Sequence, residues 1–137
     1  MKKFDYIIIG SGQAGIPLAF SLSKQGTVAI IEKSFLGGTC VNNGCIPTKA
    51  YVSSARRVWD AFHANELGVE IPEGTKANLR KIKVRKDKLV EESRSNIENA
   101  IERNKKITLY KGEAHFISNY EVKVAETILT AKKIFIN

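Results

Sequence analysis

The sequence has little cysteine and no long hydrophobic run. Its two cysteines among 137 residues argue against a disulfide framework of the kind that holds small secreted domains together. The longest early apolar run, Tyr6–Ile9, is far too short to cross a bilayer or to form the core of a signal peptide. We therefore expect a cytoplasmic protein with no membrane segment, in which a close cysteine pair is redox-active or binds a metal.

Negative charge is scarce as well. Fourteen Asp and Glu stand against 22 Lys and Arg, and the net charge is +8. Residues 76–111 carry nearly all of the excess, with twelve basic and five acidic side chains. Such a patch can contact nucleic acid, but a solvated face of a charged helix is the more ordinary explanation. Because no aromatic-plus-basic motif accompanies the patch, we rank nucleic-acid binding last.

The chain is long enough for one domain with its own core, since 43% of its residues are hydrophobic. Phe4–Gly10 is a continuous β-branched and aromatic run, which predicts a parallel strand covered on both faces. A helix over Ile16–Gln25 and a strand over Thr27–Ile31, ending on Glu32, complete a right-handed βαβ unit.

The second half of the chain predicts two helices and then short strands. One helix begins at Cys45 or Ile46 and runs to about Ala64, and a break follows over Leu67–Gly74. A long polar helix from about Asn78 to Asn104 has a narrow apolar stripe, so we expect it to lie against another helix. The expected strands are Ile107–Tyr110, Ala114–Ile117, Glu121–Val124, Ile128–Thr130 and Lys132–Ile136.

The glycine-rich turn Gly10–Gly15 has the spacing of a dinucleotide-binding turn. It follows a predicted strand, opens a predicted helix, and is followed by an acid, Glu32, at the end of the next strand. Gly12 lets backbone approach a pyrophosphate, and the helix N-terminus supplies free N–H groups. Glu32 can accept hydrogen bonds from a ribose and would repel a 2′-phosphate, which argues against NADP here. The turn alone does not separate NAD from FAD, and a turn that serves only packing is the plainer alternative.

The stretch Gly37–Lys49 contains both cysteines, with four residues between Cys40 and Cys45. The intervening Asn42–Gly44 can curl so that the thiols meet. Cys45 is expected at a helix N-terminus, where the helix dipole favours the thiolate, whereas Cys40, on the looser side, is the better candidate to attack a substrate disulfide. A structural disulfide or half of a metal site is the alternative, although a lone pair supplies too few ligands for a closed zinc site.

Gly37–Lys49, at this distance after the glycine turn, resembles the active-site signature of the flavoprotein disulfide reductases, or class I pyridine nucleotide–disulfide oxidoreductases. That family includes dihydrolipoamide dehydrogenase, glutathione reductase and mercuric reductase, and Gly44–Lys49 is more similar to the first and last of these. The resemblance covers essentially the whole chain. It implies an α/β, Rossmann-like FAD-binding domain of three layers, with a parallel sheet, helices and a small antiparallel β-meander.

The resemblance also implies roles for individual residues. Cys45 would be the charge-transfer thiolate against the flavin and Cys40 the interchange thiol, with no resident metal. Electrons would pass from NAD(P)H to FAD, then to the Cys40–Cys45 disulfide, and then to a small-molecule disulfide or a metal ion. The residues implied to bind FAD are Gly10, Ser11, Gly12, Gly15, Glu32, Lys33, Gly38, Thr39, Lys49 and Ala114.

By the same resemblance, residues 1–137 form the N-terminal, incomplete segment of an FAD-binding domain in a longer, homodimeric enzyme. The NAD(P)H-binding domain and the dimerisation domain, which supplies a His–Glu acid–base pair from the partner subunit, lie outside this segment. We therefore expect the chain alone to lack turnover. A nucleotide-binding module with a non-catalytic cysteine pair is the alternative function.

Overall fold

Six strands and four helices make up the computed structural model, which describes residues 1–137. In chain order they are β1 (Lys2–Ile9), α1 (Gly15–Leu22), β2 (Val28–Glu32), α2 (Gly38–Asn42), α3 (Cys45–Phe62), α4 (Leu79–Arg103), β3 (Ile107–Lys111), β4 (Ala114–Ser118), β5 (Glu121–Val124) and β6 (Thr127–Ile136). A short 3-10 helix, Ala64–Leu67, follows α3.

The strands form one sheet in the order β3-β2-β1-β6-β5-β4. The first four of these are parallel: Ile7 pairs with Ala29 of β2 on one side and with Ile134 of β6 on the other. β5 pairs antiparallel with the first half of β6, and β4 pairs antiparallel with β5. The predicted α/β class, with a parallel sheet and a small antiparallel meander, is therefore confirmed.

The centre of the sheet is covered on both faces, as the unbroken apolar run of β1 predicts. Ile8 belongs to a core cluster with Ala19 of α1 and Ile101 of α4. Ile7, on the opposite face of β1, packs in a second cluster with Val122 of β5 and Leu129 of β6. Both isoleucines are fully buried, and each such side chain contributes about 1.5–3 kcal/mol relative to exposure. The result is three layers: helices, the parallel strands, and the meander.

The predicted strands Ile128–Thr130 and Lys132–Ile136 are one strand in the structure, so that boundary was wrong. Parallel pairing with β1 continues through the junction, because Phe4 pairs with Ala131 and Tyr6 with Lys133. Ala131 is buried, whereas Lys132 and Lys133 are exposed. The lysine pair therefore extends into solvent without interrupting the ladder.

Helix α1 ends at Leu22, three residues earlier than predicted. The amides of Gln25 and Gly26 both donate to the Leu22 carbonyl, which closes the helix with a turn. Ser23 lies buried at this turn, where its hydroxyl donates to the Phe20 carbonyl at 2.9 Å. The same hydroxyl accepts a hydrogen bond from the Asn104 side chain, so a distant part of the chain also holds this turn.

Helices α3 and α4 pack against each other, as the narrow stripe of α4 predicts. Asn78 caps α4 by accepting a hydrogen bond from the Lys81 amide at 3.0 Å. Arg85 of α4 donates to the Ala50 carbonyl and to the Ser54 hydroxyl of α3. Between the two helices lies an apolar groove of about 430 Å³ lined by Tyr51, Ala55, Val58, Trp59, Phe62, Ala77, Leu79 and Ile82.

The basic region 76–111 is largely α4, and several of its basic side chains form ion pairs with acidic neighbours. Lys83 and Lys86 both contact Asp87, and Lys111 contacts Glu98 at 2.8 Å. These exposed pairs are worth little in stability, but they break up the positive surface. None of the helices combines the length and apolarity that crossing a bilayer requires.

Candidate functional site

A cleft of about 500 Å³ lies at the carboxyl ends of the parallel strands. It lies beside β1, whose neighbours β2 and β6 are reached by connections in opposite directions. Such a reversal of strand order is a topological switch point, where open α/β sheets bind their ligands. The residues that line it are Ile9, Gly10, Ser11, Gly12, Ile31, Glu32, Lys33, Gly38, Thr39, Gly112, Glu113, Ala114 and Asn137.

The glycine turn forms the floor of the cleft. Gly10 adopts φ +101°, which an L side chain rarely tolerates, and its amide donates to the Ile31 carbonyl at 2.8 Å. The backbone N–H groups of Gly12, Gln13 and Ala14 donate no hydrogen bond within the chain. These donors precede α1, where the helix dipole adds positive potential. The turn can therefore bind an anion such as a phosphate.

Glu32 closes one side of the cleft and is fixed in place by the glycine turn. Its Oε2 accepts hydrogen bonds from the backbone amide of Ser11 at 2.9 Å and from the Ser11 hydroxyl at 2.6 Å. Its Oε1 accepts one from the Ser34 amide at 2.8 Å. Burial opposes ionisation of this carboxyl group, but these hydrogen bonds outweigh it and lower its pKa. Glu32 is thus an oriented, ionised acceptor.

The far side of the cleft is built from the turn between β3 and β4. The Gly112 amide donates to the Glu32 carbonyl at 2.9 Å, which joins this turn to the end of β2. Lys33 and Glu113 form an exposed ion pair of 3.2 Å across the mouth. Ala114 lines the cleft directly behind this pair.

The two cysteines lie on consecutive helices. Cys40 is inside α2 and half-buried, and Cys45 is the exposed first residue of α3. A Cβ on Gly44 would lie 3.0 Å from the Thr39 carbonyl oxygen and 3.4 Å from the Cys40 Cα, so glycine permits this close approach. Both thiols are free, and hydrogen bonding with Cys45 raises the pKa of Cys40.

The predicted position of Cys45 at a helix N-terminus is confirmed, whereas the expected surroundings of Cys40 need correction. Cys45 does begin a helix, as expected. The segment around Cys40 was expected to be the looser side, yet it forms α2, with Val41 buried against the body of the domain. The residues between the cysteines therefore include a helical turn and not only the expected Asn–Gly bend.

The structure brings eight of the ten predicted cofactor-binding residues together around the cleft: Gly10, Ser11, Gly12, Glu32, Lys33, Gly38, Thr39 and Ala114. Gly15 lies just below the cleft, where a Cβ would stand 2.4 Å from the Gly10 carbonyl oxygen. Lys49 is exposed in the first turn of α3 and does not line the cleft. Its positive charge acts on Cys40 instead, opposing the rise of that thiol's pKa.

Sequence reasoning missed Asn137. The end of β6 lies beside the end of β1, and the Asn137 amide donates to the Ile9 carbonyl at 2.8 Å. Only the parallel pairing of β6 with β1 puts this residue in the cleft, and no local pattern signals that pairing. The structure brings no group of three or more His, Cys, Asp or Glu side chains together that could hold a metal ion.

Residues 4–137 match the family described as pyridine nucleotide-disulphide oxidoreductase. The chain belongs to this family. This match confirms the sequence-based resemblance. The flavoprotein disulfide reductases of this family bind FAD and use NAD(P)H.

Individual relatives of this family agree with the match. The chain is 38% identical to dihydrolipoyl dehydrogenase of Chlamydia trachomatis, and 37% identical to that of Bacillus subtilis, over 90% and 85% of its length. It superimposes with a TM-score of 0.83, at 32% identity and over its whole length, on the Cu(II) complex of the HOCl-induced flavoprotein disulfide reductase RclA from Escherichia coli. The chain spans 26% of each dehydrogenase and 29% of the RclA chain.

Proposed function

We propose that the chain is the FAD-binding and redox-active cysteine segment of an NAD(P)H-dependent flavoprotein oxidoreductase. The observation that carries the proposal is the continuity of two sites. Gly38 and Thr39 line the cleft, and Cys40 is the next residue on the same short helix. A cofactor that lies in the cleft therefore ends beside the cysteine pair.

The residues of the cleft fit FAD in chemistry and order. The three free amides after Gly10 can bind the pyrophosphate, and the oriented carboxylate of Glu32 can accept hydrogen bonds from the adenosine ribose. The turn around Ala114 would meet the adenine, while Gly38 and Thr39 would line the part of FAD that leads to the cysteines. When bound, FAD supplies electron transfer from a nicotinamide to the cysteine pair.

The two cysteines divide the thiol chemistry between them. Cys45 begins α3, and hydrogen bonding with Cys45 raises the pKa of the Cys40 thiol. The sulfur of Cys40 attacks a substrate disulfide and forms a mixed disulfide, and the proton of Cys40 passes to the substrate thiolate that leaves. Cys45 then attacks Cys40, releases the second thiolate and leaves the Cys40–Cys45 disulfide.

The substrate of the longer enzyme is a small-molecule disulfide or a metal ion. The dihydrolipoyl dehydrogenases among the relatives favour a disulfide substrate. The similarity to RclA, whose structure is a Cu(II) complex, is the reason to retain a metal ion as the second possibility. We also propose a cytoplasmic, homodimeric enzyme, and we expect no NAD(P)H turnover from this chain alone, because it spans about a quarter of the dehydrogenases it matches.

The test combines a flavin titration with a redox titration. The purified chain is mixed with FAD, binding is followed by quenching of flavin fluorescence, and the thiol content is measured before and after mild oxidation. We expect saturable binding, a disulfide between Cys40 and Cys45 shown by peptide mapping, and a change in the flavin absorbance band when that disulfide is reduced.

Cys40→Ser is the matched control, since it should bind FAD while losing the spectral response to thiol reduction. Absence of FAD binding contradicts the proposal. FAD binding with a flavin spectrum that ignores the state of the cysteines indicates instead a nucleotide-binding module with a non-catalytic cysteine pair.

A further inference from the structure

Helix α2 cannot hold Cys40 in position by itself. It has five residues, and isolated helices of this length are unstable in water because nucleation costs more than so few hydrogen bonds return. The position of Cys40 relative to Cys45 must therefore depend on contacts between α2 and the rest of the domain.

Asn42, the last residue of α2, makes such contacts with its whole carboxamide. Its Nδ2 donates to the Leu36 carbonyl at 3.0 Å and to the Gly38 carbonyl at 2.7 Å. Its Oδ1 accepts a hydrogen bond from Nε of Arg94 on α4. One side chain between the two cysteines thus joins the beginning and the end of α2 to a different helix.

Arg94 is itself well fixed. Its guanidinium carbon lies 4.0 Å from the centre of the Phe35 ring, in a cation–π arrangement, and the side chain is only 26% exposed. Nη1 is 3.4 Å from Glu91 one turn earlier on α4. Since α4 is the longest helix and packs on both α3 and the sheet, Arg94 offers a rigid point of attachment.

We propose that Asn42 and Arg94 are positioning residues for the redox cysteine pair, and we name their contact the Asn42–Arg94 latch. The latch holds α2 against α4 and keeps Cys40 close to the start of α3. It thereby raises the effective concentration of one thiol at the other, which favours their disulfide. This inference rests on the proposed redox function, and it assigns a role to two residues that do not line the cleft.

The experiment measures the thiol–disulfide equilibrium of the chain in glutathione buffers. In this reaction oxidised glutathione takes two electrons and both thiol protons from Cys40 and Cys45, yielding the intramolecular disulfide and two molecules of glutathione. We expect Asn42→Ala and Arg94→Ala each to lower the equilibrium constant for disulfide formation about tenfold, a shift of about 30 mV for a two-electron couple.

The double variant supplies the decisive comparison. Because the two residues share one hydrogen bond, Asn42→Ala with Arg94→Ala should shift the equilibrium by less than the sum of the two single shifts. Arg80→Ala is the control, since Arg80 is an exposed arginine of the same helix that makes no hydrogen bond or ion pair in the structure. It should leave the equilibrium unchanged.

A second readout is the rate at which iodoacetamide modifies Cys40, measured by peptide mapping below the ordinary thiol pKa. Hydrogen bonding with Cys45 raises the pKa of Cys40, so a loosened α2 should speed this reaction several-fold. If Asn42→Ala does not fold, Arg94→Lys keeps the charge and loses the planar Nε donor, and it should move both readouts in the same direction.

The possible outcomes distinguish failure of the Asn42–Arg94 latch from failure of the proposed redox function. A wild-type chain that forms no Cys40–Cys45 disulfide contradicts the proposed function and the latch together. A wild-type chain that forms the disulfide, with variants whose equilibrium and alkylation rate match Arg80→Ala, overturns the latch alone. Lower thermal stability with an unmoved thiol–disulfide equilibrium also overturns it, because that is the result of a merely structural contact.

Discussion

Two alanine substitutions in the glycine turn should separate cofactor binding from folding. An Ala at position 15 would place its Cβ 2.4 Å from the backbone oxygen of Gly10, far inside the ordinary carbon contact distance of about 3.5–4.0 Å. Backbone must then move. At position 12 the nearest atom is Nδ2 of Asn137 at 2.9 Å, the far end of a flexible side chain, and the next lies at 3.7 Å.

The magnitudes follow from these neighbours. Overpacking against backbone costs about 1–3 kcal/mol. Because Gly15 begins α1, the higher helix propensity of Ala, roughly 1 kcal/mol above that of Gly, offsets part of this cost. We expect Gly15→Ala to lose about 1–2 kcal/mol of unfolding free energy. Gly12→Ala should change it by less than about 0.5 kcal/mol, because moving a flexible side chain costs little.

FAD affinity should respond at both positions, and strongly at Gly12. The added methyl group would lie in the cleft and hold a phosphate away from the free amides. Loss of one hydrogen bond to a charged group costs about 1.5–3 kcal/mol. That corresponds to roughly a ten- to hundredfold weaker Kd.

The assay is urea unfolding of the cofactor-free chain together with a flavin fluorescence titration. With an m-value of about 2 kcal/mol per molar urea, Gly15→Ala should lower the midpoint by roughly 0.5–1 M. Gly74→Ala is the control: φ at Gly74 is +81° and no atom lies near, so this variant should lose stability and keep FAD affinity. Equal destabilisation by Gly12→Ala and Gly15→Ala would contradict the different neighbours of the two glycines, and wild-type FAD affinity in Gly12→Ala would contradict a phosphate site at this turn.

Two further predictions concern single side chains. The folded pKa of Glu32 lies below its ordinary value of 4.5, so its ionised form stabilises the fold above pH 4.5, and this contribution is lost as the pH falls through the folded value. Glu32→Gln should thus be less stable than wild type at neutral pH, with the difference shrinking in acid unfolding curves, whereas exposed Glu70→Gln should match wild type throughout. Arg85→Ala should lower the unfolding free energy by about 1–2 kcal/mol, because it removes the hydrogen bond between α4 and the Ala50 carbonyl, and it should leave FAD affinity unchanged. An unchanged urea midpoint would show that this hydrogen bond does not stabilise the helix pair.

Much of the fold was readable because its signals are local. The apolar run of β1, the helix boundaries of α4 near Asn78 and Asn104, and the start of α3 at Cys45 depend on residues a few positions apart. The glycine turn with Glu32 was equally accessible, since a strand, a turn, a helix and an acid follow one another within about thirty residues. The boundaries that failed lie where distant residues decide, as at Ser23, whose hydroxyl accepts a hydrogen bond from the Asn104 side chain.

Local patterns were enough to predict the βαβ unit, the acid beside the glycine turn, and the helix that begins at Cys45. Tertiary structure decided that β6 continues past two lysines, that Asn137 reaches the cleft, and that Arg94 reaches Asn42 across 52 positions of sequence. The physical reason is the range of each interaction. Backbone propensity and periodicity act over a few residues and leave a pattern, whereas strand pairing and side-chain contacts between helices depend on which surfaces meet after the chain has folded.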